Sequence, residues 1–575
     1  MAESGLTLPL TPLNYCDFVV KDEDRKLLTW ENFNCWIKCF CIVTFDLELG
    51  QVIEKTFPNH VELDEKERAN VCYLAFPDSN TGCMGDTQFH FRIRLSPSSA
   101  VEKVPRNTER ELPVYLRKDS SHYYGFVFFR QVKDPSLKRG YFQKSVVLLS
   151  QLPYVNLFSH LIKMIAPEYF ENGDAAMETV CYQMDKWSLP CPGQTLQLPL
   201  LGSVLQLRIP SKKDKPGAVA SPEKEIGKQV GIPLQIFPNL NEINIFKAFI
   251  PVLPHIHLLW ELVLLGEPVV VMAPTPKMCS ETIQALVGLI LPLRYSCDFR
   301  PYFTIHDSDF KEYTTKTRLP PPVLLGVTNP FFAKTLQQWP HIIRVGEMPT
   351  LTITRSTGPG PSGRKEQQLK QGVYTKYKPM LERDKQVLKR LAKGYSSARP
   401  LEAQNALLRR HFVELTQSFM IPLERYISSL MPLQRSISPW RSPPKLKQFD
   451  TESFLRTLGN FGPQLTSKLK GNWNGLYRKF FQSPNFEGWF RNRREEINQK
   501  LEILHLEAIC NADIGMWVHD KFEVEIVDLY MQIKEKLLSA RSSKLPVVMR
   551  RKLNIQLNRV LGFLQPDLQL VLRQS

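Results

Sequence analysis

A chain of 575 residues is too long for one ordinary core, and about two to four domains is the expected count. Its 43% hydrophobic and 10% aromatic content excludes a disordered polymer. The net charge of +17 lies wholly in the last third: residues 360–575 hold 37 Lys+Arg against 20 Asp+Glu, whereas residues 1–359 hold 37 of each.

Residues 1–34 read as an N-terminal tail, and Met1 to Leu10 has neither a basic start nor a continuous apolar run, so no signal peptide is expected. Residues 35–210 have the rhythm of a mixed sheet. Trp36 to Phe45 is a strand, Glu48–Gln51 a turn, and Val52 to Phe57 its hairpin partner. Cys39 and Cys41 sit inside that strand. No second ligand pair has zinc-site spacing, so they read as buried reduced thiols of a cytosolic protein. Asp64 to Phe76 is a charged helix. Gln88–Leu95, Tyr123–Val132 and Tyr141–Ser150 are further strands, with a polar loop over Ser96–Leu112 among them. Helices are expected over Leu157–Tyr169 and Ala175–Trp187.

Residues 211–230 are poor in apolar side chains and read as a linker. In 231–355 helix and strand alternate, which argues for an α/β lobe. Ile243–Leu265 is a long helical pattern, and Val269–Met272 is a continuous β-branched run that suits a parallel strand covered on both faces. Thr282–Leu291 is the next helix and Val323–Val327 the next strand. The longest apolar stretch, Leu258 to Ala273, is interrupted by Glu261 and Glu267 and falls short of the about 20 apolar residues of a membrane span. Residues 356–372 form a second linker. Beyond it, 373–575 reads as helical, most clearly over Lys376–Leu391, Leu401–Ile421, Phe486–Ala508 and Lys521–Leu538. The basic Ser436–Pro444 loop is either an unregulated connection or a phosphorylation site.

Few motifs suggest covalent chemistry. Gly358–Gly363 matches G-x-G-x-x-G, but two of the six residues are prolines without an N–H to cradle phosphate. His255 and His257 have no third ligand in view, and neither H-E-x-x-H nor G-x-S-x-G occurs. No metal or cofactor is expected. Two spots stand out from scaffold. The turn Asp134–Gly140 joins two strongly apolar strands and places Arg139 beside a glycine; it is either a plain polar turn or a presented site. Ser483–Phe490 starts a helix with proline and several aromatics, which suits core packing. The basic last third allows either solvated helix faces or a surface for an anionic membrane or acidic partner. No nucleic-acid recognition motif accompanies it.

Three stretches carry a family resemblance. Cys39–Glu54 resembles the opening of the DENN module, Arg139–Ser150 the strand that follows in it, and Trp260–Val271 its central part. Over nearly the whole chain the sequence resembles the sixth subfamily of DENN-domain proteins. The resemblance implies a longin-like mixed sheet, a central α/β lobe and C-terminal helices. It also implies guanine-nucleotide exchange on a Rab GTPase of endosomal recycling, Rab fourteen in this subfamily, by a cytoplasmic protein recruited to recycling endosomes. Arg139, Gly140, Tyr141 and Gln143, with Glu267 and Pro268 of the Gly266–Pro268 turn, are the expected Rab contacts. In folliculin-type relatives the matching arginine acts as an arginine finger, so a GTPase-activating role through Arg139 is the alternative. A trafficking scaffold without exchange activity is a third.

Overall fold

The computed structural model describes residues 30–78, 84–97, 110–138, 140–214, 233–237, 239–315, 317, 319–346, 370–459, 463, 469–542 and 547–574. Contacts divide the chain into two units, residues 1–416 with 469–471 and residues 417–468 with 472–575.

In the first unit, helix α1 (Glu31–Trp36) leads into strands β1 (Cys39–Asp46) and β2 (Gly50–Phe57). Helix α2 (Glu65–Leu74) and strands β3 (Gly85–Arg94), β4 (His122–Lys133) and β5 (Tyr141–Ser150) follow. The sheet order is β2-β1-β5-β4-β3. The expected mixed sheet is corrected here, because all four pairings are antiparallel. Two hairpins, β1–β2 and β4–β5, supply reversed neighbours, and β5 returns beside β1. Apolar residues alternate onto both faces. One face joins Cys39, Cys41, Phe91 and Val127 to Val71 and Leu74 of α2. The other brings Phe126 against Phe158 of α3 (Val155–Asn172), which α4 (Asp174–Asp185) follows. The Cys39 and Cys41 sulfurs lie 3.8 Å apart in this core. Their mutual hydrogen bond and their burial push the Cys41 thiol well above its usual value, so it is inert as a nucleophile.

Strands β6 (Thr195–Leu200) and β7 (Ser203–Arg208) form a second sheet with β8 (Leu234–Phe237), which runs parallel to β7. That pairing joins the two sides of the segment read as a linker. The expected long helix over 243–265 is instead α5 (Ile245–Phe249), a 3₁₀ stretch (Ile250–His255) and α6 (Ile256–Leu265). Pro251 and Pro254 break the α pattern by removing two N–H donors. Residues 245–265 are long and apolar enough to cross a bilayer, but every residue of α6 is buried within the protein.

Strand β9 (Val269–Met272), helix α7 (Pro276–Leu289), strand β10 (Asp298–Arg300), helix α8 (Phe310–Thr314), strand β11 (Val323–Val327), helix α9 (Phe332–Thr335) and strands β12 (His341–Arg344) and β13 (Gly372–Thr375) complete the α/β lobe. Its order is β10-β11-β9-β12-β13, parallel except at β13. All four residues of β9 are buried, as its β-branched run predicts. A Cβ on Gly326 of β11 would stand 2.3 Å from the Pro301 carbonyl oxygen and 2.7 Å from the Cys279 sulfur. The backbone carbonyl cannot swing away, so Gly326→Ala is expected to lower stability by about 1–3 kcal/mol in a urea titration.

Lys376–Asp384 is irregular, with one isolated bridge at Leu381, and not helical as expected; Pro379 disfavours helix at the residue before it. Helix α10 (Lys385–Ser396) starts where the Asp384 carboxylate accepts from the Gln386 and Val387 amides. Helix α11 (Leu401–Ser429) carries the division between units at Thr416/Gln417.

The second unit is helical: the end of α11, then α12 (Thr451–Leu458), α13 (Trp473–Phe481), α14 (Pro484–Cys510), α15 (Ile514–Val518), α16 (Glu523–Ser542), α17 (Val547–Gly562) and α18 (Pro566–Gln574). Ser483 caps α14 by accepting from the Phe486 amide, with Pro484 in its first turn. Phe486 and Phe490 stack at 5.6 Å and join Phe449 and Phe481, so the aromatic Ser483–Phe490 stretch is core. Leu506, Ile509, Ile526, Ile533, Leu553 and Val560 centre a second cluster. In the basic Ser436–Pro444 loop, Trp440 stacks on Trp517 at 4.7 Å.

Candidate functional site

The β4–β5 hairpin projects from a rigid base. Arg130 donates two hydrogen bonds of 2.7 Å to the Asp86 carboxylate on β3 and covers the Phe170 ring at 4.6 Å. Register runs Gln131↔Gln143, Val132↔Phe142 and Lys133↔Tyr141 up to the turn. There the Asp134 amide donates to the Gly140 carbonyl at 2.9 Å, and the Gly140 amide donates to Leu137 O at 2.8 Å. Gly140 takes φ +74°, which a side chain would resist. The Ser136 amide and hydroxyl both donate to Asp134 Oδ1, at 2.9 and 2.6 Å. Those bonds, the hydroxyl's first, hold the Asp134 carboxyl below its usual value.

This turn is built to keep its shape, and what it presents is apolar. Val132 is 48% exposed, Leu137 42% and Tyr141 38%. Leu137 and Tyr141 are apolar side chains left in water at the end of a pinned hairpin, whereas Val132, paired with Phe142, stands on the opposite face of the sheet from Tyr141. Gly140, Tyr141 and Gln143 therefore share one edge, with Gln143 half-buried beside the base. Arg139 lies outside the described residues. Val132 and Leu137 escaped the sequence reading. Val132 closes a strand already read as apolar throughout, and Leu137 sits inside the Asp134–Gly140 turn that the sequence singled out for its polar residues.

The Gly266–Pro268 turn belongs to the other sheet. Gly266 ends α6 at φ +68°, and the Glu267 amide donates back to Leu262 O at 2.9 Å. The Glu267 carboxylate stands 3.5 Å from His341 Nε2 on β12, and His341 Nδ1 shares a 2.7 Å hydrogen bond with Thr375 on β13. Glu267 and Pro268 are half-buried, and Glu267 serves its own sheet.

No group of three or more His, Cys, Asp or Glu side chains among the described residues could hold a metal. His257 Nε2 instead meets His411 Nε2 at 3.0 Å. Burial, with His411 adding to it, pulls His257 down to about 4 and keeps it neutral.

Three family models match this chain. The DENN (AEX-3) domain covers residues 141–345, beginning at the first residue of β5 and ending just after β12. The transport protein Avl9 model covers 37–187, the antiparallel sheet with α3 and α4. The DENND6 C-terminal domain covers 514–575, helices α15 to α18. Protein DENND6A of Gallus gallus is 53% identical over 96% of this chain and 95% of its own length. The chain belongs to the DENND6 family. Protein DENND6B of Homo sapiens is 52% identical over 94% of both chains, and the DENND6 homolog of Dictyostelium discoideum 34% identical over 88% of this chain. The DENN match and the Avl9 match overlap from β5 to α4, so this DENND6 protein carries its hairpin tip where the two patterns meet.

Proposed function

We propose that this DENND6-family protein promotes GDP release from a Rab-family small GTPase, which docks on the β4–β5 hairpin tip. The observation that carries the reading is the DENN-domain match over residues 141–345, with the pinned, apolar tip at its first residue. Arg139, Gly140, Tyr141 and Gln143 are its proposed contacts with Leu137, and Glu267 and Pro268 flank a second contact on the α/β lobe. Exchange needs no bond-making by the protein. A surface that binds nucleotide-free Rab better than GDP-bound Rab loosens GDP by the same coupling energy. A rate gain of about 10⁴ requires roughly 5.5 kcal/mol of such differential binding. We assign the Rab to endosomal recycling, with Rab fourteen as first candidate. The protein would work from the cytoplasm on recycling endosomes, its basic last third favouring an anionic membrane.

The test is a Rab panel loaded with fluorescent GDP, with release and GTP hydrolysis followed separately. Accelerated release from Rab fourteen is expected, falling roughly tenfold or more in Leu137→Asp/Tyr141→Asp, because central apolar contacts dominate such interfaces. Release should survive Arg139→Ala, reduced only as far as Arg139 also contacts the Rab switch regions. Hydrolysis accelerated by the parent and abolished by Arg139→Ala would replace this reading with GTPase activation. No effect on either rate, with salt-sensitive binding to anionic liposomes, would leave a scaffold.

A further inference from the structure

We propose that the exposed face of helix α17 docks on an anionic membrane. The inference rests on the membrane-facing part of the proposed function and names the element that carries it. Residues 536–566 hold seven Lys and Arg and no Asp or Glu, so no carboxylate along that stretch of chain neutralises them. At about 100° per residue, Val548, Arg551, Lys552, Ile555 and Arg559 of α17 fall within one arc of about 100°. All five are exposed. Val548 and Ile555 lie about two turns apart, at 68% and 49% exposure, and Phe563, in the turn that ends the helix, is 51% exposed. Arg551, Lys552 and Arg559 make no ion pair among the described residues.

The opposite side of α17 is fixed within its own unit, so the outer face is held in place. Leu553 and Val560 belong to the core they share with Leu506, Ile526 and Ile533. Between them the Gln556 side-chain amide donates to the carbonyls of Cys510 and Ala512, both at 3.0 Å. A second copy of the chain does not suit the outer face, because it would bring like charges together. The face is about 24 Å long and about 10 Å wide. That is well short of the roughly 800 Å² per partner of a stable protein interface. A bilayer asks for less: a line of apolar side chains entering at headgroup depth, with cations beside them at the lipid phosphates. Val548 and Ile555 supply the first, and Arg551, Lys552 and Arg559 the second.

The full-length protein would be floated with phosphatidylcholine vesicles that contain or lack phosphatidylserine, at low and at physiological salt. GDP release from Rab in solution would be followed on the same proteins. Binding only to the phosphatidylserine vesicles is expected, weakened by salt. Arg551→Gln/Arg559→Gln should lower the partition coefficient roughly tenfold or more. Ile555→Gln should lower it about tenfold at either salt. Both variants change exposed side chains, so melting temperature and GDP release in solution should stay near the parent's. Arg551→Lys/Arg559→Lys keeps the charge and should restore vesicle binding, which separates charge from folding. Parent binding that the neutral variants retain overturns the assignment to α17 and leaves the membrane to another surface. Failure of the parent to bind anionic vesicles overturns it outright, as does binding to immobilised polyglutamate without binding to vesicles, which would mark a site for an acidic protein. Vesicle binding lost in the variants supports the assignment even where the parent releases no GDP, a result that would sink only the exchange reading.

Discussion

Arg92→Ala is expected to lower unfolding stability by about 3–5 kcal/mol, because it strands buried carboxylates that the guanidinium now holds. Arg92 Nη2 lies 2.7 Å from Asp119 Oδ2 and Nη1 lies 2.6 Å from Asp298 Oδ1, with the guanidinium 4.3 Å above the Phe299 ring. Arg92 belongs to β3 and Asp119 lies in the connection just before β4, whereas Asp298 and Phe299 belong to β10, so one arginine ties the antiparallel sheet to the α/β lobe. Arg300, fully buried, adds a 3.1 Å bond to the Arg92 carbonyl and pairs with Asp298 and Asp309. Burial alone would raise Asp119, yet Arg92 and His122 hold it well below the usual carboxylate range. Arg300, His122 and Arg92 do the same for Asp298 against the same opposing burial. The sign of the pH dependence follows. Carboxylates depressed in the folded state stabilise it fully above their unfolded value of about 3.9, and the stabilisation is lost as pH falls through the folded values. The deficit of Arg92→Ala against the parent, measured by urea titration, should therefore be full at pH 7 and shrink below about pH 4. A deficit under about 1 kcal/mol at pH 7 would mean that the remaining cations satisfy both carboxylates unaided.

That cluster was not legible in the sequence, and the reason is physical. Arg92, Asp119 and Asp298 are far apart along the chain, and each looks like an ordinary surface charge in its own window. What the sequence does carry is the local pattern. The β-branched run Val269–Met272 makes a parallel central strand, and the apolar runs of β1, β4 and β5 make strands with no other choice. Short strands such as β6, β12 and β13 escape because a few residues of alternation match too many patterns. At the candidate site, glycine at 140 after Asp134 and Ser136 announces a turn through its side-chain chemistry. The exposure of Val132 and Leu137 does not announce itself, because it depends on where neighbouring β3 ends.

Glu261→Ala should cost a comparable amount, about 3–5 kcal/mol, by a different route. Glu261 is 1% exposed in the middle of α6, where every neighbour along the helix is buried. Its Oε2 accepts from the Tyr377 hydroxyl and the Met380 amide, both at 2.8 Å, and its Oε1 accepts from the Leu381 amide at 2.9 Å. Burial, then Glu261 itself, drives the Tyr377 hydroxyl far above its usual value, so it stays a donor. The carboxylate is thus the acceptor that holds Tyr377, Met380 and Leu381 in a non-helical course, against the helical pattern read there. Alanine leaves two backbone amides and a phenol without it in a dry site. A glutamine side chain in place of the carboxylate keeps one oxygen but points an N–H at N–H donors, so Glu261→Gln should cost about 1–3 kcal/mol. Urea titration gives both values, and hydrogen exchange gives the mechanism. Amides of Met380 and Leu381 should exchange faster in Glu261→Ala at pH 7, whereas the β1 amides should slow or hasten only with global stability. Unchanged protection at 380 and 381 would show that another acceptor holds the segment.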